Sequence, residues 1–218
     1  NSASYYSLSL YVMFKFLSVF CSLLLTVQGV SAQTFADVAP NHWAYSFIED
    51  LVGQSIVDDG YFYHPDRFLA RVELVKIMVI ATTGVLDDRL PATPTFPDVK
   101  PDQWYYPYIE TAHITGLING YPDGYFRPGQ KVIRAEAVKI LVNALGIPKS
   151  YDPPVRFRDY GSSEWFHVYV ASAFNSGVIT GYTNDEGYKQ MLFGPADFIT
   201  RAEMAKITSK GISISTLY

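Results

Sequence analysis

The chain has 218 residues, 49% hydrophobic and 17% charged, with a formal net charge of −4. This balance suits a folded core and argues against a disordered chain. No run of Lys or Arg marks a nucleic-acid footprint, and the single cysteine leaves no disulfide framework.

The first 32 residues stand apart from the rest, with Lys15 as their only charge. The stretch "MFKFLSVFCSLLLTVQGVSA" (13–32) has a basic start, an apolar centre and a small-residue end, Val30-Ser31-Ala32. That is the pattern of a secretory signal peptide. The expected start is Met13, with residues 1–12 upstream and cleavage near Ala32–Gln33. A retained N-terminal anchor is the alternative. The apolar stretch is broken by Ser18, Ser22 and Gln28, so no stable membrane span is expected after processing. Cys21 lies inside the leader, which leaves the processed chain without thiol chemistry.

From residue 35 the sequence repeats. "FADVAPNHW" (35–43), "FPDVKPDQW" (96–104) and "FRDYGSSEW" (157–165) align without gaps, so Phe35, Phe96 and Phe157 fall 61 residues apart. Asp37, Asp98 and Asp159 occupy one position of this register, and Trp43, Trp104 and Trp165, the three tryptophans of the chain, another. The repeats span 35–90, 96–150 and 157–212, joined by the proline-rich stretches 85–95 and 147–156. In each, Trp opens a first helix, as in "WYYPYIETAHIT" (104–115), and Gly116 and Gly177 stand where a left-handed cap ends it, with Ser55 in the first copy. A glycine-rich turn follows, such as "NGYPDGYFRPGQ" (119–130). A second helix comes next, closed by Gly84, Gly146 or Gly211. Such helix pairs cannot bury their apolar faces alone, so three are expected to share one core.

Each second helix carries Arg-x-Glu-x-x-Lys: Arg71/Glu73/Lys76, Arg134/Glu136/Lys139 and Arg201/Glu203/Lys206. At about 100° per residue, Arg134 falls on the stripe of Val138, Leu141, Val142 and Leu145. Glu136 and Lys139 fall on the far side, where they would form an i,i+3 ion pair. The arginine is therefore directed toward a neighbouring element and requires an anionic partner. That partner is either a structural carboxylate such as Asp98 or a bound ligand. Thr200 with Glu203 forms a capping box, whereas Ala70 and Ile133 lack the capping hydroxyl, which would cost about 1 kcal/mol each. The three tryptophans suit packing at a helix start, or a flat platform for a sugar. The Asp positions suit turns or caps. Gly120, Gly124 and Gly181 suit tight turns, with Gly120 and Gly181 also allowing close approach of a ligand.

The ordered motifs F-x-D-V with Trp, a G-(L/V)-I-x-G turn, "DGYFRP" and T-R-A-E resemble the S-layer homology domain, and all three repeats take part, over about 35–212. The resemblance implies a mainly α fold, with three tandem helix-pair repeats forming a pseudo-threefold helical bundle. It also implies a secreted, S-layer-associated protein of the bacterial cell envelope. Such a protein would bind an acidic secondary cell-wall polysaccharide, often pyruvylated, or a peptidoglycan-linked glycan, without catalysis. The arginines of T-R-A-E carry over by position as ligand contacts: Arg71, Arg134 and Arg201. Trp43, Trp104, Trp165, Gly120 and Gly181 complete the candidate binding set. An Arg offers bidentate donors to a carboxylate, a helix N-terminus adds positive potential, and an aromatic ring suits the C–H face of a pyranose. Repeat 1 departs from the pattern: its loop lacks the Gly120-Tyr121-Pro122 segment and Ala70 replaces Thr. The groove around Arg71 is therefore expected to be the weakest of three.

Enzymatic motifs are missing. There is no G-x-S-x-G elbow, no phosphate-binding glycine loop and no H-x-x-x-H pair, so neither a catalytic residue, a metal nor a cofactor is expected. "NDEG" (184–187) lacks the remainder of a calcium loop and reads as a turn. A structural lattice subunit and a cell-wall glycan hydrolase stay open as alternatives.

Overall fold

The computed structural model describes residues 33–84, 86–151, 157–182 and 192–215; the leader and "NDEG" readings lie outside them. The described residues hold six helices and no strand, which bears out the mainly α reading: α1 Tyr45–Gly53, α2 Arg71–Thr83, α3 Tyr106–Ile114, α4 Arg134–Ala144, α5 His167–Asn175 and α6 Arg201–Ser215. None is long and apolar enough to cross a membrane.

The helices that pack most closely come from different repeats. The first helix of each repeat lies against the second helix of the preceding one, with α3 on α2, α5 on α4, and α1 on α6. Helices α2 and α6 both touch α4. The segments leading into the second helices close the same cycle through backbone hydrogen bonds. Leu69 N–H donates to Ile199 O (2.9 Å), Val132 N–H to Leu69 O (3.1 Å), and Ile199 N–H to Val132 O (3.0 Å).

This cycle explains how α2 and α4 begin without a capping hydroxyl. Ala70 and Ile133 are held extended, at ψ 150° and 154°, by bridges to other repeats. The first free N–H groups of each second helix are met by the loop of the next repeat. Arg71 donates to Gln130 O, Arg134 to Asp197 O and Arg201 to Arg67 O, at 2.8–2.9 Å. The orphan donors that a cap would satisfy are thus already paired. They are also not free for an anion, which corrects the expectation of an open helix N-terminus. At α6 the capping box forms as expected: Thr200 Oγ1 accepts from Glu203 N–H, and Glu203 accepts from Thr200 N–H.

The expected single core is two clusters. The larger draws on all three repeats, including Leu51, Leu74, Leu141 and Met204. The smaller joins Val72, Val75 and Val79 of α2 to Phe96, Ile109 and Phe126 of the second repeat. Gly211 does not end its helix as expected. α6 continues to Ser215, and Gly211 is buried where a Cβ would stand 2.5 Å from Leu145 Cδ1.

Candidate functional site

The F-x-D element builds the floor. Phe35, Phe96 and Phe157 are buried, and each following Asp pins a loop by accepting two backbone N–H groups. Asp37 accepts from Tyr63 and His64 (both 2.7 Å), Asp98 from Phe126 (3.0 Å) and Arg127 (2.7 Å), and Asp159 from Phe193 (3.0 Å) and Gly194 (2.6 Å). The second residue of each pair has positive φ (58°, 60° and 69°), so the carboxylate holds a left-handed turn in place. The turn role foreseen for these aspartates is what the structure shows, and Asp98 is not the partner of a motif arginine.

Each arginine instead reaches into the next repeat in the cycle. Arg134, 9% exposed at the side chain, donates from Nη1 to Glu203 Oε1 (3.0 Å) and from Nε to Phe193 O (2.9 Å). Its guanidinium lies 4.7 Å from the Tyr182 ring centre. Arg201 repeats this geometry with Glu73 Oε1 (3.0 Å), Tyr63 O (2.7 Å) and the Tyr63 ring (4.5 Å). Arg71 does not. It lies over Tyr121 (4.6 Å) and Phe126 (5.1 Å), is buried, and its Nε has no hydrogen-bond partner. Glu136, the carboxylate that corresponds to Glu203 and Glu73, accepts the Tyr121 hydroxyl instead (3.1 Å).

The motif glutamates therefore do more than dress the helix. Burial pushes the Glu73 carboxyl up, but hydrogen bonds from Arg67 and Ala70 N–H and the charges of Arg67 and Arg201 outweigh it and hold the carboxyl below its ordinary range. The anticipated Glu–Lys pair within one helix is not formed among the described residues. Lys76 pairs with Asp58 (2.5 Å) and each motif lysine faces a tryptophan of another repeat: Lys76 with Trp104 (5.9 Å), Lys139 with Trp165 (5.2 Å) and Lys206 with Trp43 (5.7 Å). These distances fit cation–π contacts. The tryptophans are 51–57% exposed, so core packing is not their role.

Three grooves result, each with an Arg from one repeat, a loop with Glu and Lys from the next, and a Trp from the third. The first holds Arg71, Gly120, Tyr121, Glu136, Lys139 and Trp165 in about 530 Å³. The second holds Arg134, Gly181, Tyr182, Glu203, Lys206 and Trp43 in about 370 Å³. The third holds Arg201, Tyr63, Glu73, Lys76, Asp58 and Trp104 in about 210 Å³. All eight candidate residues line one of these grooves. Gly120 and Gly181 have φ of 69° and 77°, and a Cβ would meet Phe96 Cε1 at 2.5 Å or Phe157 Cε1 at 2.6 Å. Their first duty is thus to let the loop pass over a buried ring.

The sizes of the grooves do not follow the repeat in which each arginine stands. The shortened loop of repeat 1 borders Arg201, because each arginine crosses to the following repeat, and that groove is the smallest. Arg71 stands in the largest. The residues missed from sequence are Glu73 and Glu203 as arginine partners, the motif lysines, and Tyr63, Tyr121 and Tyr182 beneath the guanidiniums. The threefold recurrence of Arg-x-Glu was the available signal: in a closed cycle the Arg of one copy meets the Glu of the next.

Residues 95–138 and 156–205 match the S-layer homology domain. Over 202 residues the chain is 32% identical to "Exoglucanase XynX" of Acetivibrio thermocellus, covering 87% of this chain and 18% of that protein. It is 28% identical to the "Cellulosome-anchoring protein" of the same species, covering 77% of this chain and 37% of that one. It is 30% identical to "S-layer protein sap" of Bacillus anthracis, covering 61% of this chain and 15% of that one. The chain thus spans well under half the length of these relatives.

Proposed function

This chain belongs to the S-layer homology family, and on that premise we propose that it is a non-catalytic module that attaches protein to the bacterial cell envelope by binding an acidic cell-wall polysaccharide. The observation that carries this reading is the buried Nε of Arg71, unpartnered at the base of the largest groove, with Tyr121 beneath it and Trp165 on the wall. A buried guanidinium donor without an acceptor is costly, and a carboxylate entering the groove would satisfy it with a charge-assisted hydrogen bond. A pyruvylated sugar presents such a carboxylate beside an apolar ring face that suits the half-exposed Trp165.

In the other two grooves an internal carboxylate already occupies the arginine. A ligand at Arg134 must compete with Glu203, and one at Arg201 with Glu73. We therefore rank the Arg71 groove first. The grooves offer little for glycan hydrolysis, which needs two cooperating carboxyl groups. The Arg71 and Arg134 grooves are each lined by a single carboxylate among the described residues, and in the third Glu73 and Asp58 are both held by cations. The relatives' printed names, an anchoring protein and an S-layer protein, agree with attachment at the cell surface.

The test is cosedimentation with purified wall sacculi before and after extraction of their secondary polymer. Binding that disappears with the polymer, and releases no soluble sugar, supports the reading. Equal binding to extracted sacculi, or steady release of reducing sugar, overturns it.

A further inference from the structure

The groove at Arg71 differs from the other two at its mouth as well as at its base. In the Arg201 groove the motif lysine, Lys76, is matched by Asp58 at 2.5 Å. In the Arg134 groove burial and the charges of Lys210 and Arg134 lower the proton affinity of Lys206, and the carboxylate of Glu203 opposes them. At the mouth of the Arg71 groove, Lys139 has no carboxylate within ion-pair distance among the described residues, and a second lysine joins it. Lys149 lies 4.0 Å from the Tyr169 ring centre, and Lys139 approaches the same ring at 5.8 Å and Trp165 at 5.2 Å. Lys149 also donates to Asn143 Oδ1 (2.6 Å), a side chain that lines this groove.

Burial lowers the proton affinity of Lys149, and the charge of Lys139 beside the same ring lowers it further. The carboxylate lining the groove, Glu136, is turned to the Tyr121 hydroxyl. The arrangement is a cationic mouth beside an aromatic wall, above a separate buried guanidinium.

We propose that Lys139 and Lys149, around Tyr169, form a second anion subsite at the mouth of the Arg71 groove, so that the saccharide taken there carries at least two acidic groups. This rests on the reading of the Arg71 groove as the wall-glycan site. One anionic group faces Arg71, and the next along the chain of sugars lies between the two ammonium groups.

The experiment titrates the full chain with galacturonic acid, digalacturonate and trigalacturonate, with neutral maltotriose as control, by calorimetry at low salt. The expected result is that the longer uronates bind about tenfold more tightly than the monomer, each exposed lysine contributing up to about fivefold. In Lys149→Gln, and more fully in Lys139→Gln/Lys149→Gln, the ratio of trimer to monomer affinity falls toward one. Both lysines are exposed, so these variants fold. A ratio near one in the unmodified protein, or a ratio that survives the double substitution, overturns the second subsite while leaving the Arg71 site standing. Uronate binding that is unchanged by Arg71→Met, or no uronate binding at all, overturns the groove itself.

Discussion

Arg71 and Arg134 hold the same position in their repeats, yet their truncation should have opposite consequences. Arg134→Ala removes a hydrogen bond to Glu203 and one to Phe193 O, and leaves a half-buried carboxylate without its cation. Hydrogen bonds to charged partners contribute about 1.5–3 kcal/mol each. Residual solvent around Glu203 and its remaining bond from Thr200 N–H reduce the loss, so about 2–3 kcal/mol is expected. For a domain of this size that corresponds to a fall in Tm of about 4–12 °C. Arg71→Ala removes no such bond. It loses packing over Tyr121 and Phe126 but also removes an unpaired buried donor, so stability should change by less than about 1 kcal/mol. Wall binding should move the other way, with a loss of about tenfold or more for Arg71→Ala, and less for Arg134→Ala once compared under conditions where both are folded. Thermal melts and cosedimentation with sacculi, run on both variants, give the two orders. If Arg71→Ala melts as early as Arg134→Ala, or binds sacculi like the parent, the assignment of one arginine to the ligand and the other to the fold is wrong.

Three further outcomes follow from the same contacts. Asp37 and Glu73 are both held below the ordinary carboxylate range; burial opposes this, and backbone N–H bonds prevail at Asp37, with Arg67 and Arg201 also acting at Glu73. Their contribution to stability is therefore complete above the unfolded-state value and is lost as pH falls through the lowered folded values, so acid melts of Glu73→Gln should be flatter than those of the parent below about pH 4.5. Gly120→Ala places a side chain at φ 69° and 2.5 Å from the Phe96 ring, at a cost of about 2 kcal/mol or more, read by urea denaturation; an unchanged midpoint would contradict the close approach. Residues 33–150 alone deprive α1 of its partner α6 and open the larger core cluster, so this fragment should lack the parent's cooperative transition. A fragment that melts as sharply as the whole would show that the cycle is dispensable.

Much of the local structure was legible in the residues. The gapless register of Phe35, Phe96 and Phe157 marked the repeats, the 3.6-residue periodicity marked the second helices, and Thr200 with Glu203 marked a capping box that is present. Azimuth alone placed Arg134 on the face turned to a neighbour. These are properties of a few consecutive residues, set by backbone geometry and side-chain spacing. Which neighbour the arginine meets is not such a property. Arg201 finds Glu73 and Arg134 finds Glu203 because the three repeats close on one another, and that closure depends on how apolar faces far apart in the chain fit together. The same closure spares α2 and α4 the need for a capping hydroxyl. It sets each tryptophan, which stands just before the N-cap of its first helix, on the rim of a groove belonging to two other repeats, and it places the short first loop beside Arg201 instead of Arg71. The sequence determined the elements and their repetition through local geometry; the partners were decided by long-range packing, which brings together residues whose distance along the chain carries no information about their distance in space.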